Sequence, residues 1–195
     1  TIRLRIFDEQ HPSIANSYNN LGICYSSIGN YNQAIVYHQQ ALSIYSVVLG
    51  EKHLFAARSY DNLGDCYCQK CDYTQAIIYH QQALDIRLTV LDEKHHDIAG
   101  SFNSLGLCYS RQGYYKKAIV YYKKALDIWL IIFGEHHLHT VTILVNLGNC
   151  YYYKGNTRLA IAYSQQAIAI SLLVLDKKHP ILAQSYNSLG LCYID

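Results

Sequence analysis

The chain carries almost no net charge, since 16 Lys and Arg against 14 Asp and Glu leave +2 over 195 residues. That balance excludes a strong electrostatic claim on nucleic acid or on a membrane surface. No apolar run reaches the roughly 18 residues a membrane span needs, and no signal peptide opens the chain. There is no phosphate-cradling glycine loop and no nucleophile–base–orienter arrangement in the sequence pattern. No catalytic residue is therefore assigned, and no cofactor or metal is implied. Methionine is missing even at position 1, and proline occurs only as Pro12 and Pro180. Both prolines suit the first turn of a helix, where a missing N–H costs nothing.

What the chain does have is a register. Leu21-Gly22-Ile23-Cys24-Tyr25 returns as Leu63-Gly64-Asp65-Cys66-Tyr67, and as Leu105-Gly106-Leu107-Cys108-Tyr109. It returns again as Leu147-Gly148-Asn149-Cys150-Tyr151 and Leu189-Gly190-Leu191-Cys192-Tyr193, each copy 42 residues after the last. A fixed period between about 20 and 50 residues marks a stacked-repeat protein. Each unit reads as two helices. The first runs from about Ser13 to Ile28, with Ala15, Tyr18, Leu21, Gly22 and Tyr25 at helical spacing. The second runs from about Asn32 to Leu49, with Ala34, Ile35, Tyr37, Ala41, Leu42, Ile44, Val48 and Leu49 as its apolar stripe. Gly29, Gly113 and Gly155 sit where a helix C-terminus favours a left-handed residue, and Cys71 takes that place in the second unit.

The expected organisation is one array over 1–195. It comprises a partial repeat over 1–10, repeats over about 11–52, 53–94, 95–136 and 137–178, and a partial repeat over 179–195. Thr1 to Phe7 align with the end of a second helix, and neither end shows a polar capping helix. A window onto a longer array is the expectation. Gly22 is expected to let the first helix approach Ala34 of the second, with Ala41 serving the contact between successive units. Leucine in place of Gly64 would overpack that contact, at about 1–3 kcal/mol.

Five of the seven cysteines occupy one repeat position. Stacked helices lie about 8–10 Å apart, whereas a disulfide needs Cα atoms within about 7 Å. Free buried thiols are expected, and with them a reducing, cytoplasmic setting. Cys66, Cys68 and Cys71 read as ordinary thiols. His11, His53, His95, His137 and His179 recur one 42-residue period apart, too far apart to share an ion, and read as loop packing and helix N-caps. Glu135, His136, His137 and His139 form a local cluster that an ion would occupy only adventitiously. Lys116, Lys117, Lys123 and Lys124, interleaved with Tyr114, Tyr115, Tyr121 and Tyr122, read as a solvated face.

Tyr18, Leu21, Gly22, Tyr25, Gly29, Tyr31, Ala34 and Ala41 resemble the tetratricopeptide repeat signature, as do Tyr60, Leu63, Gly64, Tyr67, Tyr73, Ala76 and Ala83. The period is longer than the usual 34 residues. With its Leu49-Gly50-Glu51-Lys52-His53 type of loop, the unit resembles the repeats of kinesin light chains. The resemblance implies an all-α fold: an α-solenoid of antiparallel helix pairs forming a right-handed superhelix. It also implies a groove lined by first helices that takes a protein or peptide. The groove residues would be Asn19, Asn20, Arg58, Asp61, Asn62, Asp65, Asn103, Arg111, Asn146, Asn149, Tyr152 and Tyr153, with Asn16, Ile23, Ser26 and Ser27 beside them in the first unit. The ladder Asn20, Asn62, Ser104, Asn146, Ser188 offers amides and hydroxyls that bond an extended backbone without demanding a sequence. A carboxylate clamp would need Lys or Arg where Asn19, Asp61, Asn103 and Val145 stand. RNA binding by a helical-repeat code is the alternative that low charge disfavours, and head-to-tail self-association through the ends is the structural one.

Overall fold

A computed structural model describes residues 11–176 and 178–193. The expected helix end over residues 1–7 lies outside them. Among the described residues there are nine helices and no strand: α1 (Pro12–Ser27), α2 (Tyr31–Leu49), α3 (Leu54–Gln69), α4 (Tyr73–Val90), α5 (His96–Arg111), α6 (Tyr115–Phe133), α7 (Leu138–Tyr153), α8 (Thr157–Val174) and α9 (Pro180–Leu191). None of them is long and apolar enough to cross a membrane. The fold is an all-α helical-repeat solenoid. It divides into two compact units, Thr1–Glu93 and Lys94–Asp195.

The helices start where polar side chains can satisfy their free amides. His11, His53, His95, His137 and His179 each cap a first helix, Nδ1 accepting the backbone N–H two residues on at 3.1, 3.1, 3.1, 3.2 and 3.3 Å. The recurring loop histidine is thus a capping residue. Second helices use a shorter acceptor. Asn30, Asp72 and Asn156 each accept the amide three residues on, at 3.2, 3.1 and 3.1 Å. At the equivalent place α6 has Tyr114, which makes no capping bond. Tyr114→Asn is therefore expected to stabilise the second unit by about 1 kcal/mol. A urea melt of the two proteins reads this directly, and an unchanged midpoint would contradict the capping account. Between paired helices the chain turns through positive φ at Gly29, Gly113 and Gly155, and Cys71 adopts φ 60° in their stead.

In the first unit, α1 with α2 and α3 with α4 form the helix pairs. Ala34 and Ile35 of α2 cluster with Leu63 and Cys66 of α3, so the signature of one repeat packs on the second helix of the repeat before it. The second unit repeats this: Ala118, Ile119 and Tyr122 of α6 cluster with Ile143, Leu147 and Cys150 of α7. Cys66, Cys108, Cys150 and Cys192 are buried as expected and none of the seven cysteines forms a disulfide, but Cys24 and Leu21 of the first copy are exposed. Ala41 packs with Ala15 and Tyr45 inside its own repeat.

The signature glycine has a partner other than the one the sequence suggested. A Cβ on Gly22 would lie 2.5 Å from the His38 ring, and one on Gly64 would lie 2.7 Å from His80. Gly106 similarly faces Tyr122, while Gly148 has the Ser164 hydroxyl as its nearest neighbour at 3.0 Å. Gly22 therefore seats the side chain four residues beyond Ala34. A second motif was not anticipated, a run of three neighbouring rings in each of the first three helix pairs. Tyr37 stacks on Tyr18 and Tyr25 at centroid distances of 6.1 and 5.3 Å, and Tyr79 on Tyr60 and Tyr67 at 6.2 and 5.4 Å. Between α5 and α6, Tyr109 stacks on Tyr121 at 5.3 Å and Phe102 lies tilted against it at 6.2 Å.

Candidate functional site

Two sets of polar side chains, one in each unit, correspond to the expected groove. In the first unit they bond to one another. Asn19 is buried, not on the wet face, because its Oδ1 meets His38 Nδ1 at 2.9 Å. The same oxygen accepts from Asn62 Nδ2 at 2.8 Å, tying α3 to α1. Asn16 Oδ1 accepts from the Tyr45 hydroxyl at 2.6 Å and from the Arg58 guanidinium at 3.5 Å. Arg58 also rests over the Phe55 ring at 5.1 Å. Burial lowers the His38 pKa to about 4, so the ring is neutral near pH 7 and its Nδ1–H donates to Asn19.

Asp61 holds the place of Asn19 one repeat on. Its carboxylate takes an ion pair from Arg87 and meets His80 Nδ1 at 3.1 Å, and the Arg87 side chain is only 11% exposed. Asp65 lies beside them, its Oδ1 3.7 Å from His80 Nε2. Beside these groups lies a small recess of about 290 Å³ lined by Ile23, Ser26, Ser27, His38, Asn62 and Asp65. Asn20 is exposed and outside that lining. The positions considered for a carboxylate clamp are thus helix-pair positions. Asn19 and Val145 are buried, Asp61 is engaged with Arg87, and the Oδ1 of Asn103 is buried with no hydrogen-bond partner among the described residues.

The second unit differs in kind. A groove of about 450 Å³ runs among α5, α6, α7 and α9, and Arg111, Asn146, Asn149 and Tyr153 all line it. Leu107, Ser110, Tyr115, Tyr122, Asn187 and Leu191 complete the lining. Among the described residues, Arg111 has no carboxylate within ion-pair distance. Asn146, Asn149 and Asn187 likewise make no side-chain hydrogen bond there. Tyr153 stacks on Tyr115 at 5.4 Å, which holds both rings at the groove's edge. Tyr152 meets Tyr153 edge-on at 5.2 Å and lies outside the lining. Ser188, the last rung of the expected ladder, is buried and bonds back to Gln184 O at 2.9 Å.

Sequence reasoning missed Tyr115, Tyr122 and Asn187. Tyr115 and Tyr122 sit on a second helix, which the first-helix rule passes over. Asn187 could have been found by carrying the Asn103 and Val145 offset one repeat further. Among the described residues a single group of metal-ligating atoms converges, with His95, His96 and Asp97 within 4.8 Å of one another. His95 Nδ1 there accepts the Asp97 amide, the capping role its counterparts play in every repeat. Glu135, His136, His137 and His139 form no such group; His137 and His139 pack on the Phe133 ring instead.

Solved structures share this fold. A repeat protein of the kinesin light chain type from Podosopora anserina, with nearly identical TPR-like repeats, is 22% identical; it covers 94% of this chain and 87% of its own at a TM-score of 0.80. BtubC (BKLC) from P. vanneervenii is 20% identical, covering 94% of this chain and 73% of its own at a TM-score of 0.82. The apo form of RapI is 20% identical and aligns with 98% of this chain over 50% of its own length, at a TM-score of 0.84. No curated protein matches the chain. The family model described as Tetratricopeptide repeat matches residues 1–46, 13–89 and 97–172. With helix pairs, seated signature glycines and a model match over most of its length, the chain belongs to the tetratricopeptide repeat family.

Proposed function

We propose that the chain is a protein-interaction scaffold whose second unit takes an extended peptide in the groove between α5, α7 and α9. The observation that carries this reading is the contrast between the two units. Asn16, Asn19 and Asn62 spend their polar atoms on one another and on His38, Tyr45 and Arg58. Arg111, Asn146, Asn149 and Asn187 line an open groove and keep theirs. A neutral amide presents two N–H donors and an acceptor, which match the acceptors and donors of a peptide backbone whatever its side chains. Arg111 adds one fixed positive charge for an acidic side chain or a chain terminus. Tyr115 and Tyr153 supply rigid aromatic area, which loses little entropy on binding.

A random peptide display on the full chain tests the reading. Peptides recovered on the unaltered protein are expected to bind the Arg111→Ala/Asn149→Ala variant at least about tenfold more weakly, since hydrogen bonds to charged groups are worth roughly 1.5–3 kcal/mol. Peptides that bind both proteins equally would place recognition elsewhere on the chain.

A further inference from the structure

Repeat three carries a charge pattern that the other repeats lack. Lys116, Lys117, Lys123 and Lys124 stand on α6 where repeat one has Asn32, Gln33, Gln39 and Gln40. Repeat two has Thr74, Gln75, Gln81 and Gln82, and repeat four has Arg158, Leu159, Gln165 and Gln166. Uncharged side chains thus suffice for the fold at nearly all of these places, and four lysines are not a structural requirement. All four are exposed, and none has a carboxylate within 4.0 Å among the described residues. Asp127, one turn further along α6, forms no pair with them.

Two of the lysines are also held in place. Lys117 Nζ lies 5.2 Å from the centre of the Tyr109 ring and 5.8 Å from that of Tyr114. Lys124 Nζ lies 5.2 Å from Phe102 and 5.9 Å from Tyr121. The stacked rings of the repeat therefore serve as a floor that orders the ammonium groups. Lys116 and Lys117 join Lys154 around a shallow cleft of about 500 Å³ floored by Tyr114 and Tyr115. Apart from Tyr115, its lining shares nothing with the peptide groove.

We propose that this face of α6 is a second docking surface, for an acidic helical segment of a partner protein. The two lysine pairs are seven residues apart, which is two helical turns or about 10 Å. Carboxylates recurring at the same seven-residue interval on a partner helix would face both pairs. Nucleic acid fits less well, because the ring faces of Tyr109, Tyr121 and Phe102 are occupied by lysines and by one another, leaving few for base stacking. A sequence pI near 8.1 also falls short of the strongly basic profile such domains show.

The test uses the full chain and three labelled probes: an alanine-rich helical peptide with paired glutamates every seventh residue, the same peptide with glutamine, and oligouridylate. Fluorescence anisotropy at low and physiological salt is expected to show binding of the glutamate peptide alone, weakening as salt rises. Lys116→Gln/Lys117→Gln/Lys123→Gln/Lys124→Gln puts uncharged polar side chains at all four places, as repeats one and two have, so its helicity and melting should hold. Its affinity for the glutamate peptide should fall about tenfold or more, as the loss of several surface ion pairs implies. Asn146→Ala/Asn149→Ala should leave that affinity unchanged, which separates this surface from the groove. Equal binding of the glutamine peptide, full affinity in the quadruple variant, or tighter binding of oligouridylate would each overturn the proposal.

Discussion

Asp61→Ala is expected to lower the stability of the first unit by about 3 kcal/mol, the scale on which removing one partner of a buried ion pair acts. Asp61 is the common acceptor of Arg87 and His80, and neither group has much access to water, with the Arg87 side chain 11% and the His80 side chain 1% exposed. Without the carboxylate, a guanidinium is left in a site built to neutralise it, and the His80 Nδ1 loses its partner. Repeat one shows the uncharged solution to the same packing problem. There Asn19 stands for Asp61, His38 for His80 and Tyr45 for Arg87, with the Tyr45 hydroxyl turned to Asn16. The triple variant Asp61→Asn/Arg87→Tyr/Arg58→Asn, which also supplies the acceptor that Asn16 provides in repeat one, should therefore recover most of the loss in a urea melt. A single Asp61→Ala variant as stable as the parent would show the pair to be dispensable.

The second large effect concerns the signature glycine. Gly64→Leu is expected to destabilise the first unit by about 3 kcal/mol, because overpacking of about 1–3 kcal/mol adds to the lost His80–Asp61 contact. The His80 ring that a Cβ would meet at 2.7 Å cannot swing away without leaving Asp61. Gly148 provides the internal comparison, since a Cβ there meets a serine hydroxyl at 3.0 Å and backbone atoms no nearer than 3.5 Å. Gly148→Ala should be close to neutral, helped by the helix propensity of alanine, while Gly64→Ala is clearly destabilising. Thermal melts of the two alanine variants check the contrast. Equal responses would mean that the residue opposite the glycine does not set its role.

Most of the fold was legible because its punctuation is local. A capping histidine, a signature glycine and a turn glycine recur at one interval, so α1 and α2 begin and end within a residue or so of where the sequence put them. The Cys71 strain was legible too, since it stands where the other repeats have glycine, and its φ of 60° agrees. The groove was legible only in part. Asn149, Asn146, Arg111 and Tyr153 line one recess among α5, α6, α7 and α9. Asn19 and Asn62 were expected to be free, but their state depends on His38, nineteen residues past Asn19, and on their own contact across repeats. No helical offset within one helix encodes that partner. Asn19 and Asp61 belong to the helix-pair interface because the second helix presents His38 to the one and His80 to the other. The character of each pair varies from one repeat to the next.

The contrast between bonded amides in the first unit and open amides in the second is the centre of the functional reading, and one paired measurement tests it. The affinity of a display-selected peptide and the urea midpoint are taken together for Asn146→Ala/Asn149→Ala and for Asn62→Ala. The expected result is that the double variant loses peptide affinity about tenfold or more with its midpoint unchanged. Asn62→Ala should keep the affinity and lower the midpoint by roughly 1 kcal/mol of stability, the net worth of its bond to Asn19. A double variant that binds the peptide as well as the parent does, or that loses stability in step with affinity, would contradict the account.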